Sequence, residues 1–271
     1  MRIRTIILAA SLIIGAVGPL WARTSDKSAA QKPFTLVLDP GHGGKDSGCV
    51  GDISNEKTIV LNVAKMLGEM VKEAYGDSVK TVFTRNSDTF ISLQERANIA
   101  NRAGGDFFVS IHVNSVDKRS PGRRNITGAS VYTLGLHKSE NNLGVAMREN
   151  AVMELEEDFS ETYQGFDPNS SESYIIFELS QDANIKQSLE MASLMQGQLT
   201  GYAGRADKDV RQAGFWVLWS TSMPSVLVEL DFICNPQAER FLASKNGQKK
   251  CAEALFRAFK EYYRHHRPNA S

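Results

Sequence analysis

Four short polar signatures sit at the ends of apolar runs in this chain, and their residue types suit hydrolysis at a zinc centre. They are Asp39-Pro40-Gly41-His42-Gly43-Gly44, Asn55-Glu56-Lys57, Ser110-Ile111-His112-Val113-Asn114 and Val228-Glu229-Leu230-Asp231-Phe232. Two histidines and a carboxylate form a three-ligand set that leaves one zinc position open for water, as catalytic zinc requires. A further acid, Glu229, is suited to moving protons. The signatures therefore predict a zinc hydrolase site.

Each of these residues also has an ordinary structural explanation when it is considered alone. A single histidine such as His42 is often a plain loop residue, and Glu56 opens a helix, where the helix dipole favours any carboxylate. Glu229 lies in a very apolar strand, where an acid needs a partner such as a buried ion pair. However, His42, His112 and Glu229 all lie at the carboxyl ends of predicted strands, and ligands of open α/β sheets bind outside those ends. Their shared position favours a functional site.

Strands and helices alternate along the chain, which predicts a single α/β domain with a mostly parallel, twisted sheet and helices on both faces. Short apolar runs predict strands at 34–38, 79–84, 107–112, 129–134, 214–219 and 225–230. Apolar residues at helical spacing predict helices at 56–73, 93–103 and 249–263. This architecture would bring the ends of separate strands to one edge of the sheet.

The region from about 138 to 181 breaks this alternation and predicts an inserted helical segment. It is too short for a core of its own, so we do not expect a second domain. Residues 143–159 have helical character and are rich in acids, namely Glu149, Glu154, Glu156, Glu157 and Asp158. Residues 165–171 form a loop, whereas the apolar residues 174–179 fit either a helix or a strand.

The first 22 residues have the charged start and apolar run of a secretory signal peptide. We expect cleavage after Ala22, a flexible lead-in at 23–33, a catalytic domain at 34–265 and a tail at 266–271. An uncleaved signal anchor is the alternative, although Gly15, Gly18 and Pro19 interrupt the run. The signal predicts export, to a periplasm or the medium, without a stable membrane span after cleavage.

Charge and cysteine content argue against two other classes of protein, nucleic-acid-binding proteins and disulfide-stabilised scaffolds. The chain has 31 basic and 31 acidic residues, and loss of Arg2 and Arg4 with the signal makes it slightly acidic, so nucleic acid is not an expected partner. The three cysteines, with no CxxC pattern, leave at least one unpaired and exclude a disulfide scaffold. Cys49 and Cys251 are expected to be buried apolar side chains, and metal ligation by Cys234 is a minor alternative.

In their order, the four signatures resemble those of the zinc-dependent N-acetylmuramoyl-L-alanine amidases, the peptidoglycan amidases of cell separation. The resemblance spans about residues 34–263. It includes Thr84-Arg85, Leu93-Gln94-Glu95-Arg96, Ala100-Asn101, Arg211-Gln212-Ala213-Gly214-Phe215 and Val217-Leu218. Asp231 and Cys234 depart from the family pattern, which usually has Gly and Ser at the corresponding places.

The resemblance implies one zinc ion bound by His42, Glu56 and His112, with Glu229 as the catalytic carboxylate. The substrate would be the amide that joins the lactyl group of N-acetylmuramic acid to L-alanine of the peptidoglycan stem peptide. Glu229 would take a proton from the attacking water and return it to the leaving amine. Asn114 is left outside the catalytic set, because an asparagine at a strand end is also an ordinary cap.

The inserted segment resembles a helix that cell-division members of this family place over their zinc site. Met147-Arg148-Glu149-Asn150-Ala151 resembles that helix, and Glu149 is the candidate autoinhibitory zinc ligand. An activator protein would then have to displace the helix. A solvated acidic helix face is the alternative interpretation.

Two other functions stay open at this point. One is a zinc peptidase or deacetylase with a different substrate, which the same zinc chemistry would serve. The other is a wall-binding protein without catalysis, against which the retained Glu229 and the three-ligand set argue.

Overall fold

The computed structural model describes residues 32–136, 139–179 and 183–267. The predicted signal peptide at 1–22 lies outside these residues, as do most of the lead-in and the end of the tail. The strands are β1 (Phe34–Pro40), β2 (Val79–Phe83), β3 (Phe107–Asn114), β4 (Ala129–Leu134), β5 (Asp207–Ala213) and β6 (Ser225–Phe232). The helices are α1 (Glu56–Tyr75), α2 (Leu93–Arg102), α3 (Glu140–Asn150), α4 (Phe159–Thr162), α5 (Ile175–Leu179), α6 (Ile185–Gly201), α7 (Trp216–Trp219), α8 (Pro236–Ala243) and α9 (Lys245–His266).

Within the described residues, six strands form one sheet in the order β2-β1-β3-β6-β4-β5. All neighbouring strands are parallel except β4 and β6, which run antiparallel. The predicted α/β fold with a mostly parallel sheet is confirmed. Because β1, β3 and β6 are neighbours and point the same way, the residues at their carboxyl ends meet at one edge of the sheet.

Helices cover both faces of the sheet, and the alternation of side chains along β1 shows how. Leu36 and Leu38 belong to one core, in which α1, α6 and α9 pack against the sheet and α9 contacts both other helices. Val37 belongs to a second core on the opposite face, together with residues of α2, α7 and the inserted segment. Side chains at successive strand positions point to opposite faces, so one buried strand supports both cores.

One predicted strand is wrong. Residues 214–219 are not a strand, because Trp216–Trp219 form the short helix α7. Their apolar side chains are buried against aromatic residues of the inserted segment, such as Tyr163, whose ring centroid lies 4.9 Å from that of Trp216. The strand of this region is β5, which ends at Ala213, and its exposed, polar start gave no apolar alternation to detect.

The inserted segment contains α3, α4 and α5, with 3-10 turns at Ala151–Leu155 and Ser171–Tyr174. The predicted helix at 143–159 is only partly correct, because α3 begins earlier, at Glu140, and already ends at Asn150. Ser139 caps α3 by accepting a hydrogen bond from the Asn142 backbone N–H. Helices α6 and α8 were not predicted from the sequence. In α6, the buried face includes the polar residues Ser188 and Gln196 beside Met191, Met195 and Leu199.

Candidate metal centre

His42 lies in the loop after β1, and its backbone has a left-handed φ of 59°. Two buried arginines hold this loop by donating hydrogen bonds to its carbonyl oxygens. Arg85 donates to the carbonyl oxygens of Pro40 at 2.9 Å and Gly41 at 2.7 Å. Arg96 donates to those of Pro40 at 2.8 Å and His42 at 2.7 Å. The unusual backbone of His42 is therefore fixed from both sides, which fixes the direction of its ring.

Two glycines leave room for the site. A Cβ atom at Gly41 would collide with the ring of His112. At Gly48, where φ is 63°, a Cβ would lie 2.6 Å from His42 Cδ2 and 2.7 Å from Glu56 Oε2. These positions need glycine because a side chain would occupy the space that the polar groups share.

Glu56 is the first residue of α1, and its side chain is fully buried. Asn55 caps the helix by accepting a hydrogen bond from the Thr58 backbone N–H. The backbone N–H groups of Cys49 and Val113 each donate to the Glu56 carboxylate, both at 2.8 Å. Glu56 is thus a buried carboxylate fixed by two backbone hydrogen bonds, and not a solvated charge at a helix end.

His112 and Glu229 come from the centre of the sheet, on β3 and β6. They are register partners on these neighbouring strands, and both are buried. His112 Nδ1 lies 3.0 Å from Glu56 Oε1, and His42 Nδ1 lies 2.6 Å from Asp46 Oδ2. The bond to Asp46 orients the His42 ring so that Nε2 faces the other site residues, as a carboxylate commonly does for a metal-binding histidine.

His42, Glu56, His112 and Glu149 each offer one ligand atom, and these atoms lie within 4.8 Å of one another. We call these four residues the metal-ligand group. Glu149 joins from α3, with Oε2 at 3.2 Å from His42 Nε2 and 3.0 Å from His112 Nδ1. The structure therefore brings together the three sequence-predicted ligands and the predicted fourth carboxylate.

Several polar atoms at this centre are buried and make no well-aligned hydrogen bond among the described residues, although some lie 3.0 to 3.2 Å from other atoms of the group. They include His42 Nε2, Glu149 Oε2 and Glu229 Oε2. Such atoms are costly unless something else satisfies them. Imidazole nitrogens and carboxylate oxygens are also the donor atoms that bind divalent transition metals. The group therefore fits a metal ion, which would satisfy the first two of these atoms.

The ionisable groups of this centre strongly perturb one another. Burial lowers the pKa of His42, but Glu56 and then Asp46 outweigh burial and raise it well above its usual value. Burial likewise opposes Glu149 and Glu56 at His112, where the net pKa rises to about 9. At Glu56, burial is outweighed by His42, and the pKa falls to about 2. The carboxylates thus create a site for positive charge, and a metal ion would bind there by displacing the histidine protons.

Glu229 behaves differently from the carboxylates of the metal-ligand group. Burial and the nearby Glu149 carboxylate raise its pKa to about 8, even though Arg148 acts in the opposite direction. Arg148 Nη2 lies 3.5 Å from Glu229 Oε1. Arg148 also donates to Asn114 Oδ1 at 3.1 Å and to the Ser115 carbonyl oxygen at 2.8 Å. Consecutive residues of α3 therefore contact the metal-ligand group and Glu229.

The alternative residues considered from the sequence do not join the group. Among the other acids of the inserted segment, Glu154 and Glu157 are exposed, and Glu156 accepts a hydrogen bond from the Tyr163 hydroxyl. Cys234 is buried, with Sγ 3.2 Å from the Arg123 carbonyl oxygen, and is not among the grouped ligand atoms. All three cysteines, which lie in the described chain, are unpaired.

The N-acetylmuramoyl-L-alanine amidase family model matches residues 36–261. The chain belongs to this family. It is 32% identical over 243 residues to N-acetylmuramoyl-L-alanine amidase AmiC of Escherichia coli O6:H1, covering 88% of this chain and 54% of that protein. It is 33% identical over 231 residues to AmiA of Escherichia coli K12, covering 84% of this chain and 75% of that protein. The chain thus spans about half of the first relative and three quarters of the second.

Solved structures of family members have the same fold. N-acetylmuramoyl-L-alanine amidase AmiC2 of Nostoc punctiforme superposes with a TM-score of 0.62 at 27% identity, over 85% of this chain and 97% of that one. The catalytic domain of the amidase CwlV from Bacillus (Paenibacillus) polymyxa gives a TM-score of 0.61 at 25% identity, over 84% and 97%. The family resemblance and the fold expected from the sequence are both confirmed.

Some residues that build this centre were missed by the sequence interpretation. Asp46, Arg85 and Arg96 orient the site, and Arg148 contacts Glu229, but none was assigned a role in advance. Arg85 and Arg96 stand in segments that resemble family motifs, and that was the available signal. Of the helices that the structure describes, none is long and apolar enough to cross a membrane.

Proposed function

We propose that this chain is a zinc-dependent N-acetylmuramoyl-L-alanine amidase. It hydrolyses the amide between the lactyl group of N-acetylmuramic acid and L-alanine of the peptidoglycan stem peptide, in cell-wall remodelling and daughter-cell separation. The observation that carries the proposal is the metal-ligand group beside Glu229, at the carboxyl edge of the sheet of a family member. His42, Glu56 and His112 would hold one zinc ion, a set that matches catalytic zinc sites with three protein ligands.

When bound, zinc supplies Lewis-acid polarisation of the amide carbonyl and lowers the pKa of water. The chain itself supplies proton transfer, through Glu229. Glu229 is fully buried beside the metal-ligand group, and it accepts a proton from the attacking water and donates it to the leaving amine. The Asp46 carboxylate holds the His42 ring, and the Val113 and Cys49 backbone groups hold Glu56. These hydrogen bonds keep the His42 and Glu56 side chains in place during hydrolysis of the amide.

Helix α3 keeps the enzyme in a blocked state. Glu149 would supply a fourth ligand to the metal, and Arg148 pairs with Glu229, so one helix covers both the metal-ligand group and the proton carrier. The geometry of these two contacts supports the blocked state over a solvated acidic helix face, because the Glu149 side chain is only 4% exposed. Activity then requires a partner protein that holds α3 away from the site.

Product analysis tests the reaction. Purified sacculi are incubated with the chain and zinc, and the soluble products are separated and identified by mass. Release of intact stem peptides with a free L-alanine amine supports the amidase. Cleavage within the stem peptide, or loss of acetate alone, would instead indicate a peptidase or a deacetylase, and no product with any variant would indicate a binding protein.

The chain is exported to reach this substrate. The charged start and apolar run of the first 22 residues support a signal peptide. The protein isolated from its host should begin near Arg23 by N-terminal sequencing. An intact Met1 in a membrane fraction would support the anchor instead.

A further inference from the structure

A cavity of about 560 Å³ lies between α3 and the strands β4 and β5, and no member of the metal-ligand group lines it. Asn114 and Arg148 line the end near Glu229, and Ser130 on β4 is the register partner of Glu229. Lys208 and Arg211 on β5 line the cavity as well. The cavity therefore extends from Arg148, which contacts Glu229, to two cations on the outermost strand of the sheet.

The walls that remain without α3 are positively charged. Lys208 forms no ion pair with any residue in the described ranges, and neither does Arg211. The acids of the cavity do not cancel these charges. Asp117 is paired with Arg119 at 3.1 Å, and Glu140 belongs to α3 itself.

A residue of helix α3 already accepts a hydrogen bond from Arg211. Arg211 Nη1 donates to Asn142 Oδ1 at 3.0 Å, and Nε donates to the Lys208 carbonyl oxygen at 2.6 Å. Asn142 and Glu149 lie two turns apart on one face of α3, which corresponds to about 10.5 Å along the helix. An extended peptide of about three residues spans the same distance. The helix thus places one polar group on Arg211 and one carboxylate at the metal-ligand group, with the spacing of a short peptide.

We infer that Arg211 and Lys208 form a subsite for a free carboxylate of the stem peptide, about three residues beyond the cleaved amide. The inference rests on the proposed amidase function. Displacement of α3 removes Asn142 from Arg211 and Arg148 from Glu229, so the cavity opens onto the reaction centre with its two cations unpaired. Arg211 presents a planar fork of donors that suits a carboxylate. A stem peptide ends in a free carboxylate, and the subsite selects its length and charge.

The test compares two substrates in the Glu149→Ala chain, in which the fourth ligand position is free. N-acetylmuramoyl tripeptide reaches the subsite, and N-acetylmuramoyl-L-alanine does not. Arg211→Gln should lower kcat/KM for the tripeptide substrate about 10- to 100-fold, the range for a hydrogen bond to a charged group, mainly through KM. Hydrolysis of N-acetylmuramoyl-L-alanine should stay within about twofold. Arg264→Gln is the control, since it removes the same charge from an exposed position on α9.

The two substrates separate the inference from a purely structural role. If Arg211 only holds α3, its replacement changes both rates by the same factor, and the inference is wrong. It is also wrong if neither rate changes. If Arg211→Gln does not fold, the Glu149→Ala chain is given tripeptide substrates with free or amidated carboxylates, and equal rates overturn the inference. The proposed amidase function fails separately, if neither wild type nor any variant releases stem peptides from purified sacculi.

Discussion

His112 and Glu229 are register partners on the adjacent parallel strands β3 and β6. Paired residues of neighbouring strands project from the same face of a sheet, with the strands about 4.8 Å apart. The proposed ligand and the proposed proton carrier are therefore fixed to each other by the backbone hydrogen bonds of the sheet. Because they are separate side chains, metal binding and proton transfer can be removed one at a time.

Replacing His112 removes a ligand, so His112→Ala should lose both bound zinc and amidase activity. The remaining donors would be His42, Glu56 and, while α3 covers the site, Glu149, and a set with one imidazole instead of two should lose zinc to a mild chelator. Zinc content is measured by elemental analysis after dialysis, together with the rate of stem-peptide release. His265→Ala changes an exposed histidine on α9 and should keep both. Stoichiometric zinc in His112→Ala would remove His112 from the ligand set.

Replacing Glu229 separates chemistry from metal binding. Glu229→Gln keeps the shape of the side chain but cannot accept a proton, so activity should fall by about 100- to 10,000-fold while zinc content is unchanged. Glu69→Gln, at an exposed position on α1, is the control. Near-normal stem-peptide release by Glu229→Gln would mean that another group moves the proton.

Replacing Glu149 should release the blocked state. A blocked state favoured by about 2.7 kcal/mol leaves roughly one molecule in a hundred open, so Glu149→Ala should raise basal activity up to about 100-fold without a partner. Initial rates are compared on purified peptidoglycan at equal zinc occupancy. Glu157→Ala changes an exposed acid of the same segment and should behave like wild type. A folded Glu149→Ala chain no faster than wild type would contradict autoinhibition by this residue.

Asp39 should contribute to stability in a pH-dependent way. Burial raises its pKa, but the ion pair with Arg96 and hydrogen bonds from Ser110 and Thr84 outweigh burial, and the net pKa lies below the usual 3.8. A lowered native pKa means that the stabilisation is present above the unfolded-state value, near pH 4, and is lost as pH falls through the native value. Asp39→Asn should lower the free energy of unfolding at pH 7 by about 3 to 5 kcal/mol, because it leaves Arg96 buried and unpaired.

Urea unfolding at a series of pH values checks this prediction. Wild type should lose stability steeply below about pH 4, and Asp39→Asn should show a flatter dependence there. Asp77→Asn, at an exposed position, should reproduce the wild-type curve. Parallel curves for wild type and Asp39→Asn would mean that Asp39 has the same pKa in the folded and unfolded chains.

The strand-end residues could be predicted from the sequence because each stands beside a buried apolar run and has a distinctive type. His42, His112 and Glu229 needed only the rule that parallel strands share a carboxyl edge. Strand β5 could not be predicted, because an exposed edge strand has no apolar alternation. The contact between Arg148 and Glu229 could not be predicted either, because the sequence of a helix does not show which distant side chains its charged residues will contact. Contacts between distant segments, such as Arg85 with Gly41, depend on the folded arrangement.

Helix α7 gives the protein an optical reporter. The chain has three tryptophans, and cleavage after Ala22 would remove Trp21. The remaining two, Trp216 and Trp219, have ring centroids 4.9 Å apart, and both lie near Phe177 of the inserted segment. Intrinsic tryptophan fluorescence of the mature protein would therefore come wholly from the interface between the sheet and the inserted segment. Displacement of the inserted segment by a partner would change the wavelength and intensity of this emission. The change could be recorded as it happens, without a label.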